Sequence, residues 1–269
     1  MHLKRVLVAL IILPLIFLYV SQLPPVFFLA LITVVAVLAQ IEFHSMYKVS
    51  KAISFIGIIC GVLVLTLSSL NAARSGSDIF LGTFQSLLFI ISFILISSTR
   101  LLIKKNPASA LRDIAPALIG ILYIPNLLVA QWYLRLKGYE WIFLLYGCVW
   151  VSDSFAYYIG KGMGKSKLYP EVSPNKTVEG AVGSLLGGTV AAMLLGSLMM
   201  RELGFLTLVF IGISIGAITI VGDLVESMFK RDAGVKDSSS LIPGHGGVLD
   251  KIDSALFAGP ILYWISRTL

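Results

Sequence analysis

Charge is scarce in this sequence. Lys, Arg, Asp and Glu make up 13% of its 269 residues, against about 25% in soluble domains. Together with a 57% share of hydrophobic residues, that scarcity excludes a soluble globular enzyme, a disordered chain and a nucleic-acid binder. Cysteine is nearly absent. Cys60 and Cys148 each lie inside an apolar run, where a small buried hydrophobe is the reading, so neither a disulfide framework nor a cysteine zinc site is available. There is no tandem repeat and no low-complexity tail. Lys4 and Arg5 precede an apolar run as in a signal peptide, but no A-x-A cleavage site follows and the apolar sequence resumes at once.

What is there in quantity is long apolar runs. A spanning helix takes about 20 mostly apolar residues. The runs 4–20, 23–41, 52–70, 79–98, 115–134, 141–160, 180–200, 203–229 and 252–267 predict about nine transmembrane helices in an all-α, multi-pass membrane protein. Pro14, Pro24 and Pro25 interrupt the first two. Glycines at i,i+4 spacing (Gly57 and Gly61, Gly183 and Gly187, Gly212 and Gly216) predict close helix contacts. Nine spans put 16 of the 21 basic residues on one side, leaving Arg74, Arg135, Lys137, Arg201 and Arg267 on the other. By the positive-inside rule the N-terminus and loops 99–114, 161–179 and 230–251 face the cytoplasm.

The acids are unevenly placed: ten of 14 lie from Asp153 onward. A carboxylate at membrane depth costs about 2.5 kcal/mol or more, so it calls for a partner or a function. Asp223 and Glu226 are i,i+3 on one helix, with Lys230 one turn further, and Asp250 and Asp253 are i,i+3 at the start of the last run. Asp153 and Tyr157 are i,i+4 at a span end. Structural salt bridges, an ion or proton pathway, and binding of a hard cation such as Mg²⁺ through carboxylate oxygens all fit such acids. The loop between the two acid pairs favours the last. Lys230, Arg231 and Lys236 supply positive charge, Gly244, Gly246 and Gly247 allow close backbone approach, and His245 sits among the glycine turns. A second polar patch, Ser173 to Gly180, reads as a turn and a helix start, with Ser173, Lys176 and Thr177 available to a ligand. Gly160 to Ser166 looks like a P-loop but has one residue too few between its glycines and follows a membrane span rather than a strand.

Residues 227–253 resemble the signature of the phosphatidate cytidylyltransferases, or CDP-diacylglycerol synthases. That pattern is S-x-apolar-K-R, four residues, K-D, a short spacer, then P-x-H-G-G-apolar-x-D-R-apolar-D. The chain matches it at Ser227, Lys230, Arg231, Lys236, Asp237, Pro243, His245, Gly246, Gly247, Asp250 and Asp253, and departs at Lys251, where the family has arginine. Ser173 to Gly180 and Asp153 to Tyr157 resemble two further family segments. The likeness covers roughly residues 150–267; the first half matches in hydropathy alone. A division follows into N-terminal transmembrane helices, 1–140, and a catalytic membrane region, 141–269.

The resemblance implies the reaction of CTP with phosphatidate to give CDP-diacylglycerol and pyrophosphate, at the cytoplasmic face of a bacterial-type inner membrane. It implies Mg²⁺, with a second cation left open, and CTP, phosphatidate and bilayer lipid as partners, with a homodimer as an open alternative. Metal ligands are then Asp223, Asp250, Glu226 and Asp253. Lys230, Lys236 and His245 join Asp223 and Asp250 as catalytic candidates. Ser173, Lys176, Thr177, Arg231, Gly246, Gly247 and Lys251 are expected to contact substrate, with Asp153 and Asp237 behind them. An ion- or proton-coupled transporter is the alternative. A CDP-alcohol phosphotransferase is excluded by the lack of a D-G-x-x-A-R run.

Overall fold

The computed structural model describes residues 15–75, 83–241 and 246–269, with the backbone alone at 71–75 and 83. Lys4, Arg5 and most of the first expected span lie outside the described residues, as do the start of the fourth, Pro243, Gly244 and His245. Residues 15–22 are helical. Among the described residues nine longer helices follow: α1 (Pro25–Met46), α2 (Lys51–Ser75), α3 (Thr83–Ile103), α4 (Ala110–Tyr123), α5 (Pro125–Lys137), α6 (Tyr139–Met163), α7 (Val178–Met199), α8 (Phe205–Asp232) and α9 (Leu249–Arg267).

Among the described residues, seven spans are long and apolar enough to cross a membrane, one of them α4 and α5 taken together over Ala110–Lys137. The expected single span 115–134 is therefore two helices in line. Pro125 has no N–H to continue the ladder, so α4 closes with Ile124 donating to Gly120 and α5 starts with proline in its first turn. Pro25 likewise opens α1 rather than breaking it. The last helix, α9, is not among the seven, because Asp250, Lys251 and Asp253 crowd its first turns. It does not need a lipid-compatible surface all round. Eleven of its 19 residues are buried, against α8, α5 and α6.

One element departs from an all-helical architecture. β1 (Lys167–Tyr169) pairs antiparallel with β2 (Ser173–Thr177), Lys167 opposite Thr177 and Tyr169 opposite Ser173. The stretch read as a turn is thus a strand, and the helix start after it is as expected: the Thr177 hydroxyl caps α7, accepting from Gly180 N at 3.1 Å. A hairpin forms because α6 and α7, which it joins, pack backbone to backbone and bring its ends together. A β-carbon at Gly183 would stand 2.9 Å from Phe155 O, and one at Gly187 2.7 Å from Val151 O. Gly212 and Gly216 on α8 face α7 in the same way, 2.4 Å from Thr189 Cα and 2.6 Å from Ser184 O.

The main core runs from α1 through α5 and α6 to α9, and a smaller one, with Ile53, Cys60, Val64, Ile96, Ala117 and Ile121, joins α2, α3 and α4. Both cysteines are free and buried. Outward stripes such as Val182, Leu186, Val190 and Leu194 on α7 are exposed and apolar, the surface that lipid covers in a multi-pass membrane protein.

Candidate active site

A cavity of about 460 Å³ opens where α6, the hairpin, α7 and α8 converge, with Asp153, Tyr157, Lys161, Asn175, Lys176, Thr177, Ser184 and Asp223 in its walls. Small residues make the space: Gly160, Gly180 and Ala181 line it too. Asp223, late in α8, points its carboxylate at Lys176 from β2, with 2.7 Å between Oδ2 and Nζ. Ser227, one turn on, donates to Asp223 Oδ1 at 3.2 Å. Lys161 also lies over the ring of Tyr157, 5.7 Å from its centre.

Behind Asp223 is a buried ionic node. Lys230 lies 2.7 Å from Asp250 Oδ1 and pairs with Glu226 one turn back on α8. Glu226 is 1% exposed. The other Asp250 oxygen, Oδ2, accepts from Gly247 N at 2.7 Å, Ser238 N at 3.0 Å and Ser238 Oγ at 2.8 Å. Gly246, with φ of +81°, takes a backbone shape that favours glycine, and a β-carbon there would stand 2.5 Å from Asp250 Oδ2. The glycine pair of the signature thus lets the loop fold onto Asp250. Asp253, one turn into α9, is within electrostatic range of Asp223, Asp153 and Lys230.

The expected residues divide. Asp153, Lys176, Thr177 and Asp223 share the cavity; Glu226, Lys230 and Asp250 form the node, and Asp253 is within electrostatic range of both. Arg231 ties the hairpin to the loop, donating to Val172 O and Val235 O at 3.3 Å each. Ser173 is half-buried in β2, while Lys236, Asp237 and Lys251 are exposed and outside the cavity lining. His245 lies outside the described residues. Sequence reasoning missed Glu42, whose carboxylate accepts from Val248 N and Leu249 N at the head of α9. The membrane-depth argument applied to the later acids would have found it, since it closes an apolar run.

Among the described residues, no three His, Cys, Asp or Glu side chains are gathered as a metal-holding group. The donor chemistry nonetheless fits Mg²⁺, which binds through one or two carboxylates and completes its shell with phosphate oxygens and water. Five carboxylates, Asp153, Asp223, Glu226, Asp250 and Asp253, face three lysines, Lys161, Lys176 and Lys230, an excess that a cation would balance.

The sequence pattern of the Cytidylyltransferase family matches residues 3–269. The chain belongs to the cytidylyltransferase family. The phosphatidate cytidylyltransferase of Staphylococcus saprophyticus subsp. saprophyticus is 38% identical over 214 residues, 79% of each chain. That of Staphylococcus haemolyticus is 36% identical over 213 residues, again 79% of each, and that of Bacillus subtilis 43% over 133 residues, 49% of each. As a cytidylyltransferase the chain is a nucleotidyltransferase enzyme, which sets aside the transporter reading of its intramembrane acids.

Proposed function

We propose that this cytidylyltransferase joins CTP to phosphatidate, releasing pyrophosphate and leaving CDP-diacylglycerol in the bilayer. The observation that carries the reading is the cavity where Lys176 and Asp223 meet, at the loop-rich end of a membrane bundle and one helical turn from the Lys230 node. The names of the relatives support the choice of lipid substrate. The excess of basic residues on that side, 16 of 21, supports a cytoplasmic orientation, where CTP is available.

The nucleophile is the phosphate monoester of the lipid. Its second pKa is about 6, so it is largely ionised at neutral pH and needs no strong general base. An oxygen of that phosphate forms a bond to the α-phosphorus of CTP as the bond to the pyrophosphate oxygen breaks. The difficulty is to bring two anions together and to hold the charge on the leaving group. Lys176 and Lys161 stand in the cavity wall to contact phosphate oxygens, and Thr177 and Asn175 line the same wall. Asp223 is the first choice to hold Mg²⁺, with Asp153 and Asp253 in range. Bound there, Mg²⁺ would neutralise phosphate charge and position the nucleotide. Lys230 holds Glu226 and Asp250 so that the wall behind Asp223 keeps its shape.

The test is turnover of labelled CTP by the purified protein in mixed micelles with phosphatidate, with and without Mg²⁺. Label is expected to enter the lipid only with phosphatidate and the metal present. Folded protein that transfers no label would overturn the reading.

A further inference from the structure

We propose that Glu42, in the first half of the chain, is a positioning residue of the active site, acting through the loop between α8 and α9. The proposal rests on the cytidylyltransferase reading above for its kinetic consequence. Glu42 sits in the last turns of α1 and is 4% exposed. Its Oε1 accepts from Ser239 Oγ at 2.7 Å and Val248 N at 2.9 Å, and its Oε2 from Leu249 N at 2.8 Å and Ser238 Oγ at 3.0 Å. None of these donors is a basic side chain. The charge is met by the free N–H groups and positive dipole end of α9, together with two hydroxyls.

The same loop is held from its other side by Asp250. Ser238 Oγ, 3.0 Å from Glu42, is also 2.8 Å from Asp250 Oδ2, so one hydroxyl proton lies between two carboxylates. Gly247 is where Glu42 reaches in. A β-carbon there would stand 2.4 Å from Glu42 Oε2 and 2.1 Å from Ser238 Oγ. Glu42 therefore fixes the height and rotation at which α9 begins. Asp250 and Asp253 lie in the first turns of that helix, and Asp250 passes the constraint to Lys230 and Glu226. A change at Glu42 should let the first turn of α9 fray and loosen Asp250 and the node behind the cavity.

The experiment uses the full chain with Glu42→Gln, which keeps the size but offers one acceptor oxygen in place of two, and Glu42→Asp, which keeps the charge one methylene short. Three quantities are read on each purified protein: kcat and the CTP KM with phosphatidate, the thermal midpoint, and amide exchange over 238–250. Glu42→Gln is expected to lower kcat about tenfold or more, about 1.4 kcal/mol, with faster exchange confined to that loop, and Glu42→Asp to recover part of kcat. If the Gln variant fails to fold, the kcat of Glu42→Asp decides, a wild-type value overturning the proposal. An unchanged kcat and KM in the folded fraction of Glu42→Gln overturns it even where the midpoint falls, since Glu42 would then be only a strut. Absence of turnover in the unaltered chain instead overturns the functional reading. In that event the exchange data still decide, and unchanged exchange at 238–250 refutes the positioning role.

Discussion

The helices before residue 140 and those after it use the same residue types to different ends. In α2 and α4, glycine makes room for side chains of α1: Gly57 and Gly120 face the His44 ring, and Gly61 faces the Gln40 amide. In α7 and α8, glycine also makes room for a neighbouring backbone, at Gly183, Gly187, Gly212 and Gly216, while Gly147 and Gly196 face leucine side chains. Polar groups differ in parallel. In the first half Trp132 ends on Ser69 O at 3.0 Å and Arg135 on Leu23 O at 2.9 Å, and the ion pairs there set two cations, Arg100 and Lys104, against the one carboxylate of Asp113. Those of the second half end on one another, lysine against carboxylate around a cavity. A side chain satisfied by a carbonyl has no use for a ligand, whereas a cluster with more carboxylates than lysines does. On the proposed function the first half is a frame and the second a site, and Glu42 joins them.

The comparison is broken most readily at Lys230. If the node is a structural part of the site, Lys230→Met leaves Glu226 and Asp250 buried without their cation and should lower stability by about 3–5 kcal/mol, seen as a fall in thermal midpoint in detergent. Adding Glu226→Gln should return part of the loss. Full stability with turnover abolished would instead make Lys230 a substrate contact. The next effect belongs to Asp223. If Asp223 holds Mg²⁺ as proposed, Asp223→Asn removes a charged ligand and should cost about 3 kcal/mol in the transition state, a factor of about 100 or more in kcat, with the fold intact. Near wild-type turnover at limiting Mg²⁺ would remove Asp223 from the metal site.

The division was only half legible in the sequence. Apolar runs located the spans, and the spacing of Asp223, Glu226 and Lys230 put three members of the site on one helix face. The signature's glycines were visible, but their reason was not: Gly246 and Gly247 are required by Asp250 and Glu42, one of them some 200 residues away in the chain. Pairing across that distance leaves no local pattern. The hairpin was missed because its strands are three and five residues long and form only once α6 and α7 are packed. Hydropathy treated 115–134 as one span, whereas the break at Pro125 places Tyr123 beside Phe43, Phe229 and Phe257.

The contrast between the two kinds of glycine can be sharpened with one substitution of each. At Gly212 an added β-carbon meets Thr189 Cα at 2.4 Å, and backbone cannot turn aside. Gly212→Ala should therefore lose about 1–3 kcal/mol through forced separation of α7 and α8. At Gly57 the nearest atom is His44 Cε1 at 3.0 Å, on a side chain. Helix propensity favours alanine over glycine by roughly 0.5–1 kcal/mol, so Gly57→Ala should be close to neutral. Equal losses from the two, measured as thermal midpoints in the same detergent, would mean that both halves pack alike.

The smallest effect is expected at Lys251, and it tests how far the site extends. The family resemblance put a phosphate contact there, with lysine in the place of arginine. The structure puts Lys251 on an exposed face of the first turn of α9, outside the cavity lining, while its neighbours Asp250 and Ile252 turn inward or are buried. An exposed lysine at a helix start contributes little to stability, within about 0.5 kcal/mol, and sits poorly with the positive end of the helix dipole. Lys251→Ala is thus expected to leave the thermal midpoint and kcat unchanged and the CTP KM within about twofold. A tenfold rise in KM, about 1.4 kcal/mol, would show that the nucleotide reaches over the lip of the cavity to the outer face of α9. Lys251→Arg then separates a point charge from a two-pronged grip: only the latter would tighten CTP when the guanidinium is restored.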